Sequence, residues 1–487
     1  ENRPDWVLSR QRAWGVPLTC FMRRKIAGGV ETVEVLKDAA VNARIAEAIA
    51  AEGADAWFEE GAAARFLAGR DDADAWEKVE DILDVWFDSG STHAFVMEER
   101  ADGMWPASIY LEGTDQHRGW FHSSLLEGCG TRGRAPYDCV LTHGFALDEK
   151  GQKMSKALGN GVAPQDVIKQ YGADVLRLWV VTSDYTEDVR IGPEILKNVA
   201  DSYRRLRNTL RFALGALDGY DPEAEAVDLE AEAPELERWV LHRLAELDDA
   251  MRRGYRDFEY SKAFGALFNF CTTDLSAFYF DIRKDALYCD APDSARRRAC
   301  RKVMALLVER LAIWLAPMLP FTAEDVWLAR HPEAAAEGGE SRDDASVHLQ
   351  TFPETPQRWR DPALAARWEA VRRARRVVNG ALEIERREKR IGSSLEAGPI
   401  VHLDDPEIRA ALEGLDFAEI CIASQLTLRE GPGPEDAFRL GDVAGVAVSP
   451  APAEGTKCAR CWRVLPEVGL QSRPDVCARC DAALAGM

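Results

Sequence analysis

Residues Lys153 to Asn160 read KMSKALGN and lie between an apolar run, Val140 to Phe145, and a segment that starts near Pro164. The apolar run predicts a strand, and the pattern after Pro164 predicts a helix. The two lysines stand three residues apart, so both ammonium groups can reach one polyphosphate, whose reactions need charge compensation. The stretch therefore indicates nucleotide chemistry, although a solvated basic turn would have the same composition.

A second segment, Ile109 to Phe121, joins a β-prone run, a polar loop and an amphipathic helix. In a parallel α/β sheet this order places ligand-binding groups at the carboxyl end of a strand. Glu112 and Asp115 are therefore candidate binding residues, although helix-capping carboxylates would look the same. Upstream, residues 81–91 (DILDVWFDSGS) predict a strand-to-loop junction that ends in Asp-Ser-Gly turn chemistry.

Three histidines lie within or after the Ile109–Phe121 segment, namely His117, His122 and His143. A buried, hydrogen-bonded histidine is the ordinary interpretation of each, and we assign no general base.

Beyond Gly172 apolar residues recur at helical spacing, which predicts a bundle of amphipathic helices. Residues 218–234 predict a linker into it, residues 331–362 a loop region, and residues 372–390 a charged helix, followed by a small mixed α/β segment to about residue 448. This part contains three basic clusters, and each could contact RNA or be a solvated helix face. The clusters are Arg204, Arg205, Arg207 and Arg211; Arg296, Arg297, Arg298, Arg301 and Lys302; and Arg372, Arg373, Arg375 and Arg376.

The chain as a whole is acidic, with 61 lysines and arginines against 82 aspartates and glutamates and a formal net charge of −21. This balance argues against indiscriminate binding of polyanions, so any RNA contact must come from local basic patches. No basic-then-apolar leader opens the sequence, and the longest apolar run, Leu311 to Phe321, is too short to span a membrane. We expect a cytoplasmic protein without a membrane segment, and the first residue, Glu1, predicts a fragment.

Four of the eleven cysteines form a C-x2-C, fifteen-residue, C-x2-C array, namely Cys458, Cys461, Cys477 and Cys480. Four thiolates complete a tetrahedral zinc site with no open position, which predicts one structural zinc ion. Disulfides are the alternative, disfavoured by the spacing and the expected compartment. Arg460, Trp462, Arg463 and Arg479, which neighbour the cysteines, could contact RNA or simply be exposed.

Together these motifs resemble those of bacterial isoleucyl-tRNA synthetases, a family of class I aminoacyl-tRNA synthetases. KMSKALGN is similar to the family's KMSKS signature, with Ala157 in place of the last serine, and residues 1–25 resemble the return from an inserted editing domain. The resemblance implies a multidomain α/β plus all-α fold: the second half of a Rossmann-type catalytic domain, a helix-bundle anticodon-binding domain, a small C-terminal α/β segment and a four-cysteine zinc module. The implied divisions are residues 1–25 (return segment), 26–80 (connective subdomain), 81–195 (catalytic half), 196–365 (anticodon-binding domain), 366–450 (junction domain) and 451–487 (zinc module).

The resemblance also implies roles for individual residues. The loop residues Lys153, Met154, Ser155 and Lys156 would be catalytic, with Lys156 on ATP. The aminoacyl-adenylate would be bound by Glu112, Gly113, Asp115 and Gln116. Trp86 and Trp120 are weaker candidates for the amino acid's apolar pocket, since plain core packing is the ordinary role of a tryptophan. ATP with magnesium would be a substrate, and the other partners would be isoleucine and its tRNA.

One family signature is missing, because no His-x-Gly-His sequence occurs in the chain. The editing domain is also absent apart from its return segment. We therefore expect an isoleucine–tRNA ligase portion that is inactive until an N-terminal half completes it, and a monomer when intact. The alternative is a synthetase-derived tRNA-binding module without catalysis. The zinc tail and the run from Asp115 to Trp120 disfavour a valyl-type relative.

Overall fold

The structure is a computed structural model that describes residues 5–155, 157–332 and 345–486. The chain forms two compact units: the first comprises Glu1–Phe145 and Thr186–Asp188, and the second Ala146–Tyr185 and Val189–Met487. Among the described residues, no helix has both the length and the apolar character that crossing a membrane would require.

The first unit combines short helices with three small sheets. Its elements are, in chain order, β1 (Ser9–Arg10), β2 (Phe21–Ala27), β3 (Val30–Val35), α1 (Ala39–Glu52), α2 (Ala62–Phe66), β4 (Glu77–Lys78), β5 (Ile82–Leu83), α3 (Val85–Gly90), β6 (Ala107–Gly113), α4 (Trp120–Arg132) and β7 (Tyr137–His143).

Strands β2 and β3 form an antiparallel hairpin around Gly28 and Gly29. Both glycines have positive φ, +60° and +84°, which is the backbone conformation of a type I′ hairpin turn. Helices α1 and α2 share a core with this sheet around the fully buried Trp57. The alanine-rich, acidic composition of residues 30–78 favours helices, as in α1 and α2, but β3 and β4 lie in the same range.

Helix α3 replaces the turn that the sequence predicted after residue 84. The carboxylate of Asp84 accepts a hydrogen bond from the backbone N–H of Trp86 at 2.9 Å, so it caps the helix. Strand β5 is only two residues long, and the Asp-Ser-Gly sequence lies inside α3. The predicted strand-to-loop junction is therefore a strand-to-helix junction, because Asp84 caps a helix that contains the Asp-Ser-Gly sequence.

Strands β6 and β7 are parallel neighbours, and helix α4 connects them. Glu112 is opposite Thr142 and Gly113 is opposite His143, so both strands end at the same edge. This is the strand, polar loop and helix that the sequence predicted. The strand predicted from Val140 is confirmed, although it starts three residues earlier, at Tyr137.

The second unit contains the long helices, a four-stranded sheet and the cysteine-rich end. Its elements are β8 (Ala146–Leu147), α5 (Pro164–Tyr171), α6 (Ala173–Thr182), β9 (Val189–Arg190), α7 (Pro193–Ala216), α8 (Glu235–Arg256), α9 (Tyr260–Asn269), a π-helical segment (Phe270–Tyr279), α10 (Phe280–Cys289), α11 (Ala295–Leu315), α12 (Pro320–Arg330), α13 (Pro362–Arg387), β10 (Ile400–Leu403), α14 (Pro406–Leu412), α15 (Phe417–Cys421), β11 (Thr427–Glu430), β12 (Phe438–Leu440), β13 (Val443–Ser449), β14 (Thr456–Lys457), β15 (Val464–Leu465) and α16 (Ala478–Ala485).

The helices of the second unit bury apolar stripes against one continuous core. Trp314 and Trp368 are among its largest fully buried side chains. This confirms the predicted bundle, and α5 begins at Pro164, where proline's missing N–H costs no helical hydrogen bond. The predicted charged helix is α13, which begins ten residues earlier than the arginines suggested, at Pro362 behind an Asp361 cap.

A buried ion pair lies inside this bundle. Both carboxylate oxygens of Glu237 accept hydrogen bonds of 2.6 Å from the guanidinium of Arg283. The Tyr279 hydroxyl donates to the same carboxylate at 3.1 Å, and Glu419 accepts from Arg283 at 2.7 Å. Glu237 is 0 % exposed, so the pair is shielded from water on every side.

After α13 the chain forms the predicted small α/β segment. Its sheet has the order β11-β10-β13-β12, with β10 parallel to β11 and antiparallel to β13. Helices α13 and α14 pack against this sheet, and their apolar residues join the core of the bundle. The fold class predicted from the sequence is confirmed: α/β elements, a helix bundle, a small α/β segment and a cysteine module.

Candidate functional site

The first candidate site is the carboxyl end of β6. Glu112 and Gly113 are the last two residues of the strand, and Asp115 and Gln116 lie in the 3-10 turn from Thr114 to Arg118 that follows. Glu112 is exposed, and within the described part of the chain its carboxylate has no hydrogen-bond or ion-pair partner. The structure thus brings these four predicted binding residues together, with a free carboxylate at the strand end.

Local hydrogen bonds fix the turn between β6 and α4. The side chain of Gln116 accepts from the backbone N–H of Trp120 at 2.9 Å and donates to Asp115 at 3.2 Å. A Cβ on Gly113 would lie only 2.7 Å from the Asp115 carboxylate, so the carboxylate folds closely over this glycine. Gln116 therefore caps α4, which is the role that the sequence left open for Glu112 and Asp115. Its side-chain amide also holds the Asp115 carboxylate in place.

The two candidate pocket tryptophans differ in their surroundings. The indole of Trp120 stacks on Tyr110 with ring centroids 4.2 Å apart, and its Nε1 donates to the carbonyl of Ser89 at 2.9 Å. Trp86 is 45 % exposed and faces Gly119. Trp120 is thus held by packing between α3 and β6, whereas Trp86 presents a free apolar face beside the same turn.

The histidines of this region do not follow the ordinary interpretation. His117 and His122 are both exposed rather than buried. Only His143 is half-buried, and its Nδ1 lies 2.8 Å from the carbonyl oxygen of Gly144. The prediction of buried histidines is wrong for the first two because the 3-10 turn and the start of α4 face solvent.

The lysine stretch lies in the second unit, after β8. Lys153 forms a bridge to Leu147 and its side chain is exposed. The side chain of Asn160 closes the loop, because it accepts from the N–H of Ser155 at 2.9 Å and donates to Asp148 at 2.9 Å. Met154 and Ser155 are described, whereas Lys156 lies outside the described residues.

Asp148 and Asn160 are structural residues of this loop that the sequence reasoning missed. Asp148 also accepts from the backbone N–H groups of Gln152 and Lys150, at 2.7 and 3.0 Å. Hydrogen bonds from Gln152 and then from Asn160 hold the pKa of Asp148 below its usual range. Asn160 was part of the quoted stretch, but only the folded loop shows that its amide ties the two ends together.

A carboxylate pair between α3 and α4 was also missed. Glu127 of α4 approaches Gly90 so closely that a Cβ there would overlap its Oε1. That oxygen is buried and has no hydrogen-bond partner among the described residues. Burial and then the charge of Asp88 raise the pKa of Glu127 to about 7. No sequence pattern joins residues so far apart in this way.

The raised pKa of Glu127 predicts a pH dependence of folding. Because the folded state holds the proton of Glu127 more tightly than the unfolded state does, the stabilisation that this group contributes is fully present below the ordinary pKa of 4.5 and is lost as pH rises through about 7. We expect Glu127→Gln, which keeps the shape and stays neutral, to raise the denaturation midpoint at pH values above about 7 and to flatten this decline.

Glu98→Gln is the matched control for that measurement. Glu98 also neighbours α4, but its hydrogen bonds to Arg132 lower its pKa, so it stabilises the fold at high pH instead. Its variant should keep the decline between pH 4.5 and 7. If Glu127→Gln kept the same decline as the unmodified chain, Glu127 would not be the titrating group.

The third candidate site is the cysteine cluster. The four thiol sulfurs all lie within 4.8 Å of one another, and all four cysteines are buried. The Sγ atoms of Cys461 and Cys477 are 3.8 Å apart, close to the edge of a tetrahedron with zinc–sulfur bonds of about 2.3 Å. Although burial acts to raise it, backbone N–H groups of Cys461, Cys477 and Arg460 lower the pKa of Cys458, whereas burial raises the pKa of Cys461 and of Cys480. The residues therefore fit a closed zinc site.

The arginines of the cysteine module dock it onto α10 instead of lying free. Arg460 donates to the carbonyl oxygens of Tyr288 and Cys289, which end α10 and lack helical partners. Arg479 forms a bidentate ion pair with Asp285. Although burial acts to raise it, the hydrogen bond and charge of Arg479 hold the pKa of Asp285 below its usual range.

Two further residues near the cysteines, Arg463 and Trp462, differ from each other in role. Arg463 donates to the carbonyl of Ser424 at 2.8 Å, and this is again a docking contact. Trp462 is 61 % exposed and has φ of +66°, and the ammonium of Lys457 lies 5.6 Å from its ring centroid. The expectation of mere exposure is wrong for the three arginines, which make tertiary contacts, whereas RNA contact by any of the four residues stays a prediction.

Family models match three parts of the chain. The model described as "tRNA synthetases class I (I, L, M and V)" matches residues 1–192, that of the "Anticodon-binding domain of tRNA ligase" matches residues 237–401, and that of the "Zinc finger found in FPG and IleRS" matches residues 455–483. The last match contains all four cysteines of the cluster.

Similar proteins match nearly the whole chain. The isoleucine–tRNA ligase of Ruegeria pomeroyi is 60 % identical over 486 residues, which cover 99 % of this chain and 49 % of that protein. That of Brucella abortus is 56 % identical over 485 residues (99 % and 48 %), and that of Mesorhizobium japonicum 58 % over 488 residues (99 % and 47 %). The chain spans about half the length of the curated relatives it matches.

Proposed function

We propose, since the chain belongs to the isoleucyl-tRNA synthetase family, that it is the C-terminal portion of an enzyme that charges tRNA with isoleucine. The observation that carries the proposal is the carboxyl end of β6, where Glu112 and the turn to Gln116 form a polar cradle in a parallel α/β unit. Ligands of such folds bind at the carboxyl ends of the strands.

The proposed reaction has two steps. A carboxylate oxygen of isoleucine attacks the α-phosphorus of ATP. The bond between this phosphorus and the oxygen that bridges to the β-phosphorus breaks, and pyrophosphate leaves with magnesium. A terminal ribose hydroxyl of the tRNA then attacks the acyl carbon, the bond from that carbon to the phosphate oxygen breaks, and AMP leaves as its phosphate takes up the hydroxyl proton. Both steps develop charge on phosphate oxygens, so positioning and cationic groups carry the catalysis and no general base is needed in the first step.

We assign the residues accordingly. Glu112, Gly113, Asp115 and Gln116 bind the aminoacyl-adenylate, and Trp86 offers its exposed ring to the aliphatic side chain of isoleucine. Lys153, Met154, Ser155 and Lys156 form the catalytic loop, with the two lysines on the phosphates of ATP. The support is the exposure of Glu112 and Lys153 together with the hydrogen bonds that hold each turn in place.

Exposed apolar residues on β6 support the proposed N-terminal half. Ile109 and Leu111 lie on one face of the strand and are 41 % and 54 % exposed, while Tyr110 on the other face is buried. Parallel sheets are ordinarily covered on both faces. We propose that the rest of the catalytic domain covers this face and supplies the missing nucleotide-binding signature.

The test is isoleucine-dependent exchange of pyrophosphate into ATP by the chain, alone and mixed with an N-terminal half of a close relative. We expect exchange only in the mixture. Exchange by the chain alone would contradict the claim that half of the ATP site is missing. Absence of exchange both by the chain alone and by the mixture, with both halves folded and associated, would favour a tRNA-binding module without catalysis.

A lysine variant tests the catalytic loop within the same mixture. Lys153→Gln removes one ammonium group from the proposed phosphate site, and we expect exchange to fall about 10²–10³-fold, as on removal of one charge-stabilising donor. Lys150→Gln is the matched control, because Lys150 is exposed in the same loop but precedes the proposed site. Equal exchange activity of the two variants would contradict the proposed role of Lys153 in the phosphate site.

The partners and compartment complete the proposal. One zinc ion is bound by the cysteine cluster, where it would supply a structural cross-link and take no part in the reaction. The cytoplasm is the proposed compartment, because the cysteines form no disulfide among the described residues and the zinc ligands must stay reduced. The six predicted divisions of the chain and its monomeric state remain predictions.

A further inference from the structure

Helix α7 carries the longest acid-free basic segment of the bundle. Residues 202–217 contain four arginines and no aspartate or glutamate, in a chain with a formal net charge of −21. Arg204, Arg205, Arg207 and Arg211 are all exposed, while Leu206 and Leu210 turn into the core. The arginines therefore cover about 10 Å of the helix surface, given a rise of about 1.5 Å per residue.

The arginines of the other two clusters are bound by the protein itself. In the second cluster, Arg296 pairs with Asp290 at 2.7 Å and the buried Arg301 pairs with Glu225. In the third cluster, three arginines pair with carboxylates, Arg372 with Asp274, Arg373 with Glu407 and Arg376 with Asp442, and Arg375 donates to the carbonyl of Ile420. Their charge is largely neutralised, and their guanidinium groups connect elements of the fold.

The α7 arginines lack such partners, apart from Arg204, which pairs with Asp201 one turn before it. Throughout the described ranges, the guanidinium groups of Arg205, Arg207 and Arg211 make no hydrogen bond or ion pair. Their full charge is therefore available to an external anion.

The basic surface continues beyond α7 into a cavity of about 1110 Å³ next to Arg211. Lys302 of α11 and Arg330 of α12 also line it, together with the carboxylates of Asp218 and Glu309. The Nε of Arg330 is buried and has no hydrogen-bond partner among the described residues. A concave site with three cations and an unused buried donor suits a phosphate group better than a flat solvated face does.

We infer that Arg205, Arg207 and Arg211 form the phosphate-binding surface of this chain, with Lys302 and Arg330 extending it, and that the tRNA backbone is its ligand. The inference rests on the proposed function for the identity of the RNA. It separates one arginine cluster that binds RNA from two that hold the fold together, although the three look alike in the sequence.

The test compares two triple variants in their binding of an isoleucine-accepting tRNA transcript across salt concentrations. Arg205, Arg207 and Arg211 are changed to glutamine in one, and Arg373, Arg376 and Arg386 in the other. Both sets are helical, and both variants lose three positive charges. The control arginines are ion-paired with Glu407, Asp442 and Glu383. Glutamine keeps the helix propensity of arginine, so both variants should fold.

We expect the α7 variant to reduce the slope of log K against log salt by about three, roughly one per lost phosphate contact, and to weaken binding roughly 10²-fold at low salt. The control variant should keep the slope of the unmodified chain. Equal slopes for the two variants would overturn the inference while leaving tRNA as the partner. Absence of tRNA binding by the unmodified chain would overturn the proposed partner itself, and the inference with it.

Discussion

Replacement of Cys458 with serine is expected to unfold the cysteine module. The module has few apolar residues of its own, chiefly Val468 and Val476, and its four thiols form most of its buried core. A domain of this size cannot repay its conformational entropy by burial alone, whereas zinc binding to such sites is worth about 10–16 kcal/mol at neutral pH. Loss of one ligand, or chelation of the metal, should therefore remove most of the module's stability.

The measurement is zinc content per chain together with hydrogen exchange of peptides from residues 455–483. The matched control is Cys129→Ser, which changes an exposed cysteine of α4 to the same residue. It should keep full zinc content and protection. Full zinc content and unchanged protection in the Cys458→Ser variant would contradict a four-thiolate site.

The effect should extend into the bundle, because the module caps α10. Arg460 binds the last carbonyl oxygens of that helix, and Arg479 binds Asp285 one turn earlier. When the module unfolds, these carbonyl groups lose their donors, and we expect faster exchange at the end of α10. Unchanged exchange there would mean that the module and the bundle are stabilised independently.

Arg283→Met is expected to destabilise the helix bundle by about 3–5 kcal/mol. The variant leaves the carboxylate of Glu237 fully buried without its bidentate partner. An unpaired buried charge costs far more than the pair itself contributes, because desolvation of the remaining ion is no longer compensated. Urea unfolding followed by the helical circular dichroism signal measures the loss.

Two further variants make this prediction specific. Glu237→Leu combined with Arg283→Met replaces the pair by apolar groups, and most of the lost stability should return. Arg386→Met breaks an exposed pair with Glu383 and should cost about 0–1 kcal/mol. If the double variant were no more stable than Arg283→Met alone, packing and not the orphaned charge would explain the loss.

Local signals predicted the parts of the structure that local physics determines. The proline at residue 164 marked the start of α5, and the order of strand, polar turn and helix around Glu112 was correct. The cysteine spacing predicted a cluster that the fold indeed assembles. In each case the chemistry lies within a few residues, or within a metal-ligand pattern whose geometry is fixed.

Contacts between distant residues were beyond the sequence. Glu127 meets Asp88 only because α3 packs on α4, and Arg372 meets Asp274 across 98 positions of the chain. The three arginine clusters were therefore indistinguishable until their carboxylate partners were in place. The Gly28–Gly29 hairpin is different, because two consecutive glycines between alternating residues were a visible signal that the helical composition around them obscured.

Strands β6 and β7 pair only with each other in their sheet, as far as the described residues show. Each therefore has an outer row of backbone N–H and C=O groups without a strand partner, and β6 also exposes the apolar side chains of Ile109 and Leu111. Unprotected strand edges of this kind are templates for intermolecular pairing and aggregation. If the proposed N-terminal half completes this sheet, we expect co-synthesis with it to raise the solubility of the chain on expression, because assembly would then compete with self-association.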